Sequence, residues 1–487
     1  MGSIVVMIGG LFVLASAAWA EAPDGKEAAG ALRRAVEFYR TKVAAHGGYV
    51  YRYAADLSKR EGEGKTDPDT VWVQPPGTPA VGLALVDAYE RTGERFLLDA
   101  ASDAAECLVR GQLRSGGWTN SIEFDPDARR KFAYRVDPPR AKAFNVSTFD
   151  DDKTQSAMRF LIRFDQATKF KNDRVHEAIL FALDSVLNAQ FPNGAWSQGW
   201  DEFPDPKDDR LRPKRASYPA DWPREYPGGK YWFHYTFNDN TVSDTIDMLL
   251  LAARTYGEPR YRAAALRAGD FILLAQMPDP QPAWAQQYDY DMHPVWARRF
   301  EPPAITGSES QRLISVLLRI YVETGDRKYL EPVPRAIEYL KRSRLPDGKL
   351  ARFYELRTNK PLYLTRKYEL TYDDGDLPTH YGFKVDGRLD AVEREHQRVA
   401  RLTPDQLEAE RTPRPRRPEK PDSLAGQVRS VIESLDQRGA WVEDGRMSYH
   451  GKDDDTREII DSRTFIRNIG ILSRYLAAVQ ADRPSRK

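Results

Sequence analysis

Gln190-Phe191-Pro192-Asn193-Gly194-Ala195-Trp196 sets the reading of this chain, because the pattern around it recurs. Related loops read Gly116-Gly117-Trp118, Gln276-Met277-Pro278-Asp279, Leu345-Pro346-Asp347-Gly348 and Gln437-Arg438-Gly439-Ala440-Trp441. Tight turns alternate with them: Thr92-Gly93-Glu94-Arg95, Thr168-Lys169-Phe170-Lys171, Tyr256-Gly257-Glu258-Pro259 and Thr324-Gly325-Asp326-Arg327. Apolar residues at helical spacing fill the stretches between turn and loop. The turns lie 76, 88 and 68 residues apart, so the repeating unit is a helical hairpin carrying a loop of variable length. Stacked hairpins bury a shared core and gather their inserted loops on one face. The predicted fold is all-α: an α/α toroid-like array of helical hairpins with short irregular strands in the loops.

Working outward, Ala28 to His46 reads as a first helix ended by Gly47 and Gly48. Tyr49 to Tyr53 and Val71 to Val73 read as extended lead-in. Thr78, Thr154, Thr241, Ser310 and Thr464 each precede an apolar-periodic stretch and are predicted N-caps. Trp200 to Lys230, rich in Pro, Asp and Arg, is predicted as a long surface loop. The expected organisation is a leader over 1–20, an N-terminal helix and lead-in over 21–77, and a catalytic domain over 78–384. A charged, Pro/Arg-rich connector over 385–421 and a closing hairpin of the same array over 422–487 complete it.

Composition narrows the function. Against 73 basic residues stand 72 acidic ones, a net charge of +1, which argues against a general nucleic-acid binder. Aromatics make up 11% of the 487 residues, enough to line a carbohydrate cleft, although the same rings also serve to pack helices. Cys107 is the one cysteine, so there is no disulfide framework and no Cys-rich metal site. Ile4 to about Ala15 is apolar and is followed by Ala18-Trp19-Ala20, the pattern of a cleaved leader. Export, to a secreted or periplasmic location, is therefore expected, with no membrane attachment after leader removal.

Four charged clusters stand just before helices or in the loops. Thr148-Phe149-Asp150-Asp151-Asp152-Lys153-Thr154 holds three consecutive carboxylates, and Thr236-Phe237-Asn238-Asp239-Asn240-Thr241 repeats the pattern one hairpin later. Side by side, they offer the oxygen ligands of a hard divalent cation. Trp284 to Asp289, Trp296 to Pro303 and Gly307 to Ser310 form the third cluster. Leu350 to Leu356 with Thr358 to Arg366 forms the fourth. Arginine in these two supplies forks for carboxylate; a solvated surface pair of the Arg299–Glu301 type is the competing reading.

The run from about Thr148 to Phe383 resembles the family 10 polysaccharide lyases, the pectic acid lyases. The resemblance rests on FDDDKT, QFPNGAWSQ, YTFNDN, WAQQYD, ARRFEPPAITGSES and ARFYELRTNKPLYLTR, in that order. It implies an α/α toroid-like domain that cleaves polygalacturonate by β-elimination with calcium. It further implies that Asp150 serves substrate and calcium, that Asp239 is a calcium ligand, and that Arg298 is the catalytic base. Arg352 and Arg366 then bind substrate carboxylates. Asp151, where the family usually has Asn, adds a charge and counts among the metal ligands, and Trp284 of WAQQYD counts among the substrate contacts. Trp196-Ser197-Gln198 departs from the family's usual Trp-Pro-Gln. The expected partner is an acidic polysaccharide, and a monomer is expected. Two other classes fit parts of the pattern: a glycoside hydrolase using Asp150 and Asp239 as acid and base, and a non-catalytic uronan-binding protein.

Overall fold

The computed structural model describes residues 23–412 and 419–482, so the predicted leader and the Pro/Arg run at 413–418 lie outside the described residues. In chain order the helices are α1 (Gly25–Phe38), α2 (Thr78–Thr92), α3 (Arg95–Arg110), α4 (Pro126–Arg129), α5 (Lys153–Ala167), α6 (Asp173–Asn188) and α7 (Thr241–Tyr256). They continue with α8 (Pro259–Ala275), α9 (Gly307–Thr324), α10 (Val333–Arg342), α11 (Leu389–Val399), α12 (Pro404–Arg411), α13 (Pro421–Glu433) and α14 (Ser462–Asp482). Strands are two to four residues long and lie in the loops. The all-α, toroid-like array read from the sequence is borne out.

Burial separates inner from outer helices. On α6 the buried apolar side chains are Val175, Ala178, Ile179, Ala182, Leu183 and Val186, one stripe at helical spacing. Its partner α5 is buried nearly all round, from Lys153 to Met158 and again over Phe160, Leu161, Ile162 and Phe164. Helices α14, α2, α5, α7 and α9 pack successively as the inner layer, while α3, α6, α8 and α10 each cover the inner helix that precedes them in the chain. The chain ends meet: α14 packs against α1, α2 and α13, and Arg52–Ala54 pairs antiparallel with Ile459–Asp461. The turns that close three hairpins place Gly93, Gly257 and Gly325 at φ of 70–73°, where a Cβ is strained.

Four of the loops are locked to the helix that leads into them by one kind of bond. The indole N–H groups of Trp118, Trp196 and Trp441 each donate to the carbonyl ten residues upstream, at Leu108, Val186 and Val431, over 2.9 Å. Trp284 makes the same bond to Ile272 at 2.8 Å. Gly194 (φ 91°) admits the backbone of the next outer helix, since a Cβ there would stand 2.1 Å from the Arg267 carbonyl. Trp196→Phe is expected to cost about 1–3 kcal/mol, because it strands the buried Val186 carbonyl. A urea midpoint unchanged from wild type would contradict that.

Three expectations change here. The predicted N-cap hydroxyls lie inside the first helical turns, and three of them are used in tertiary bonds. Thr78, Thr154 and Ser310 accept from the backbone N–H groups of Tyr49, Trp118 and Trp284 at 2.9–3.1 Å, tying each inner helix to a neighbouring loop. Residues 200–230 are more than surface loop: Leu211, Ala216 and Trp222 are buried, and the Trp296 indole donates to the Pro223 carbonyl at 2.7 Å. Nor is 385–421 a mere connector, since α11 and α12 bury Leu389, Val392, Val399 and Leu407 and both pack on α9.

Candidate active site

Backbone hydrogen bonds bring the charged clusters together. The N–H groups of Phe149, Phe237 and Gly307 donate to the carbonyls of Gln198, Gln286 and Arg352 at 2.8–2.9 Å. These three bonds are equivalent steps of the array. They put Gln198, Gln286 and Arg352 on one rung, and Asp151, Asp239 and Glu309 on the next. Thr154 therefore corresponds to Val242, and the two Thr-initiated helices are offset by one residue.

The two acidic turns share one construction. Thr148 and Thr236 accept, through their hydroxyls, from the N–H groups of Asp150 and Asn238 at 3.1 and 3.0 Å. Phe149 and Phe237 anchor the turns in the core. The next two residues are left-handed in both: Asp151 and Asp152 at φ 46° and 64°, Asp239 and Asn240 at 45° and 62°. Asp and Asn tolerate this region better than other side-chain-bearing residues, which explains the acid/amide runs.

The turns meet at their carboxylates. Asp150, Asp151 and Asp239 each offer an oxygen within 4.8 Å of the others. Two oxygens on one calcium stand at most about 5 Å apart, and calcium takes carboxylate ligands, so this all-oxygen set fits that ion. The Gln198 amide donates to Asp150, and to Asp239 at 3.3 Å. Lys153, its side chain 1% exposed, pairs with Asp150. From the N-terminal lead-in, Gln74 bridges Asp151 (3.3 Å) and Glu63 (2.8 Å). Burial works against ionisation of Asp150, but Lys153, a hydrogen bond from Asp239 and the charge of Arg298 together outweigh it and hold this carboxyl below its ordinary value. Burial raises Asp239 above its ordinary value; Arg298 opposes the rise and Asp150 adds to it.

Arg298 faces this cluster, its guanidinium 3.6 Å from Asp239. Its fork closes on Glu301 at 2.8 and 2.6 Å, and its backbone N–H reaches the same carboxylate at 3.0 Å. Glu301 is 1% exposed and also accepts from the Tyr381 hydroxyl at 2.8 Å. The Tyr381 ring lies under Arg352, whose guanidinium carbon is 4.3 Å from the centroid. Arg352 pairs with Glu309 at 3.0 Å. Burial pulls Arg298 down, but the hydrogen bonds and charge of Glu301 outweigh it, so the guanidinium titrates well above its ordinary range. The competing reading, a solvated pair of the Arg299–Glu301 type, gives way to an Arg298–Glu301 pair whose carboxylate is buried. Arg299 is exposed and rests on Tyr368.

Of the residues named from sequence, the fold gathers Asp150, Asp151, Asp239, Arg298 and Arg352. Arg366 stays outside: its side chain is 69% exposed and pairs with Asp376 at 3.3 Å. Trp284 is corrected to a core residue, 0% exposed with its indole N–H occupied, so it offers no face to a sugar. Sequence reasoning missed Lys153, Gln198 and Glu301, although each stood inside a quoted motif. Their importance lies in partners far along the chain. Gln74 and Tyr381 carried no local signal.

The fold and the site define a toroid-like helical protein with carboxylates and arginines gathered at one end. Its central segment, residues 112–320, matches the family model of the pectic acid lyases, which bears out the resemblance read from the motifs there. A comparison with curated proteins returns no match. Among solved structures, the chain is similar to a family 10 polysaccharide lyase from Cellvibrio cellulosa, with 20% identity, 66% of this chain and 98% of that chain covered, and a TM-score of 0.46. It is also similar to cellobiose 2-epimerase from Spirochaeta thermophila (15% identity, 94% and 97% covered, TM-score 0.44) and to a GH76 α-mannanase from Bacteroides thetaiotaomicron (11%, 94% and 97%, 0.40).

Proposed function

We propose that this chain is a pectate lyase that cleaves polygalacturonate by β-elimination, with calcium held by Asp150, Asp151 and Asp239. The observation that carries the reading is the meeting of two repeat-related acidic turns beside Arg298, inside the segment that matches the pectic acid lyases. The proton at C5 of a uronate lies next to a carboxylate, and its removal builds charge onto that group. Calcium, when bound, supplies positive charge to that carboxylate. Arg352 supplies a second cation and a planar fork for it. Arg298 is the proposed base toward C5; the C5–H electron pair becomes the C4–C5 double bond as the C4–O4 bond breaks, and the departing O4 takes a proton from water. Glu301 holds Arg298 as a cation, so the base form is scarce at neutral pH and the rate should rise into the alkaline range. Arg366 is assigned to more distant substrate carboxylates at the rim. Because the substrate is a polymer, the same reading places the enzyme outside the cytoplasm.

The hydrolase reading is disfavoured by the acid spacing. Glycosidase carboxyl pairs stand about 5–5.5 Å apart in retaining enzymes and about 6.5–9.5 Å in inverting ones. Here Asp150 and Asp239 have oxygens within 4.8 Å of each other and share one amide donor, the placing of two ligands on one cation rather than of an acid and a base that flank a glycosidic bond. Purified protein on polygalacturonate with calcium should generate a product that absorbs in the ultraviolet, and a chelator should abolish it. New reducing ends without that absorbance would establish a hydrolase instead.

A further inference from the structure

A second cavity, of about 930 Å³, opens beside the acidic cluster. The cavity at the cluster itself measures about 440 Å³, and Ser308 and Arg312 line both. The larger one runs along α7 and α9 and is covered by α11 and the loop at Asp386–Arg388.

Its charges are mostly spent on one another. Arg319 pairs with Asp247 at 2.6 Å, Arg398 with Glu395 at 2.7 Å and with Glu410, and Lys384 with Asp374. Lys349 stands 3.9 Å from Asp386. The guanidinium groups of Arg312 and Arg388 have no ion pair and no hydrogen bond among the described residues. Both side chains are exposed. Asp244 acts on Arg312 only from beyond ion-pair distance, and burial, aided by Asp152, pushes its carboxyl up to about 6. Arg388 is held in place by backbone: Gln311 accepts from its N–H at 2.6 Å and donates to the carbonyls of Gly307 and Asp386 at 2.8 and 3.4 Å. Two unpaired forks therefore stand in one cavity that opens onto the cluster. A carboxylate bound there would accept bidentate, charge-assisted hydrogen bonds from such forks.

We propose that Arg312 and Arg388 form a distal carboxylate subsite, which holds a uronate of the same polymer chain away from the scissile bond. The proposal rests on the lyase reading above and extends its substrate from one reacting residue to a run of charged sugars.

The test compares wild type with Arg312→Ala, Arg388→Ala and the double variant. On polygalacturonate the double variant should show KM raised about tenfold with kcat within about twofold, as expected for lost charge-assisted bonds made equally in ground and transition states. On the shortest oligogalacturonate that wild type cleaves, Arg388→Ala, whose side chain lines the larger cavity and not the one at the cluster, should match wild type. Thermal midpoints should be unchanged, because neither guanidinium has a partner to lose. An unaltered KM on the polymer, or equal losses by Arg388→Ala on long and short substrates, overturns the subsite. Calorimetric titration with polygalacturonate, against neutral galactan, separates this from the lyase reading. Wild type that binds polygalacturonate without forming unsaturated product sinks the lyase reading. The subsite then stands if the double variant loses that binding, and falls if it does not or if wild type never bound.

Discussion

Arg298→Ala is expected to lower turnover on polygalacturonate by about a thousandfold or more, with a smaller change in substrate affinity. A group that takes a proton in the transition state has this signature, and general-base catalysis typically contributes about 10²–10⁴ in kcat. Here the substitution has a structural consequence as well. Glu301 is 1% exposed and receives both arms of the Arg298 fork. Breaking a buried ion pair by removing one partner costs about 3–5 kcal/mol. Arg298→Ala should therefore also melt at a lower temperature, and lost activity alone would not distinguish chemistry from folding. Arg298→Lys makes that distinction. A lysine retains a positive charge for Glu301 while losing the planar fork, so it should stay folded at the assay temperature and still lose about a hundredfold in turnover. Arg299→Ala is the internal control, since that side chain is exposed on Tyr368 and remote from the carboxylates. If Arg299→Ala were inactive while Arg298→Ala kept near-normal turnover, the assignment of the base would be wrong even with the family right.

Asp239→Ala should remove the response to calcium at little cost to the metal-free fold. Asp239 joins the second acidic turn to the first: it shares the Gln198 amide with Asp150, accepts from Asn238 at 2.7 Å and faces Arg298. With calcium absent, three carboxyl groups crowd one another. Burial and Asp150 together keep Asp239 above its ordinary value despite Arg298. An acid whose folded-state value is raised contributes instability at any pH above its unfolded value of about 4, so neutral pH is already on the unfavourable side. The metal-free variant should therefore melt at or above the wild-type temperature near neutrality. Added calcium should raise the wild-type midpoint, by about 2.7 kcal/mol of stabilisation at a hundredfold excess over Kd, and leave the variant unmoved. Calorimetric affinity should drop at least about a hundredfold. A variant that still gained wild-type thermal stability from calcium would mean that the cation sits elsewhere.

The sequence by itself determined the hairpin unit, the all-α class and the end of the array at which chemistry collects. These are short-range facts. The Val175–Val186 stripe follows from one helical period, and the Thr-Phe-acid turns are built from neighbours two residues apart. Which clusters would matter was also legible, because Asp150, Asp151, Asp239, Arg298 and Arg352 all stand in motifs that resemble one family. Tertiary structure alone decided how they combine. The same aromatic signature that marked Trp284 as a sugar contact proved to be a core lock, because its indole turns back to Ile272. Glu301 chose Arg298 over Arg299, and Arg366 stayed outside with Asp376. Gln74 and Tyr381 entered the site from beyond the matched segment. The reason is physical. A helix or a turn is specified by side chains within a few residues, whereas a carboxylate's partner is whichever group the stacking of hairpins brings within about 3 Å. That stacking is fixed by backbone bonds from one loop to the next, such as Phe149 to Gln198 and Gly307 to Arg352, whose partners are not fixed by any local pattern.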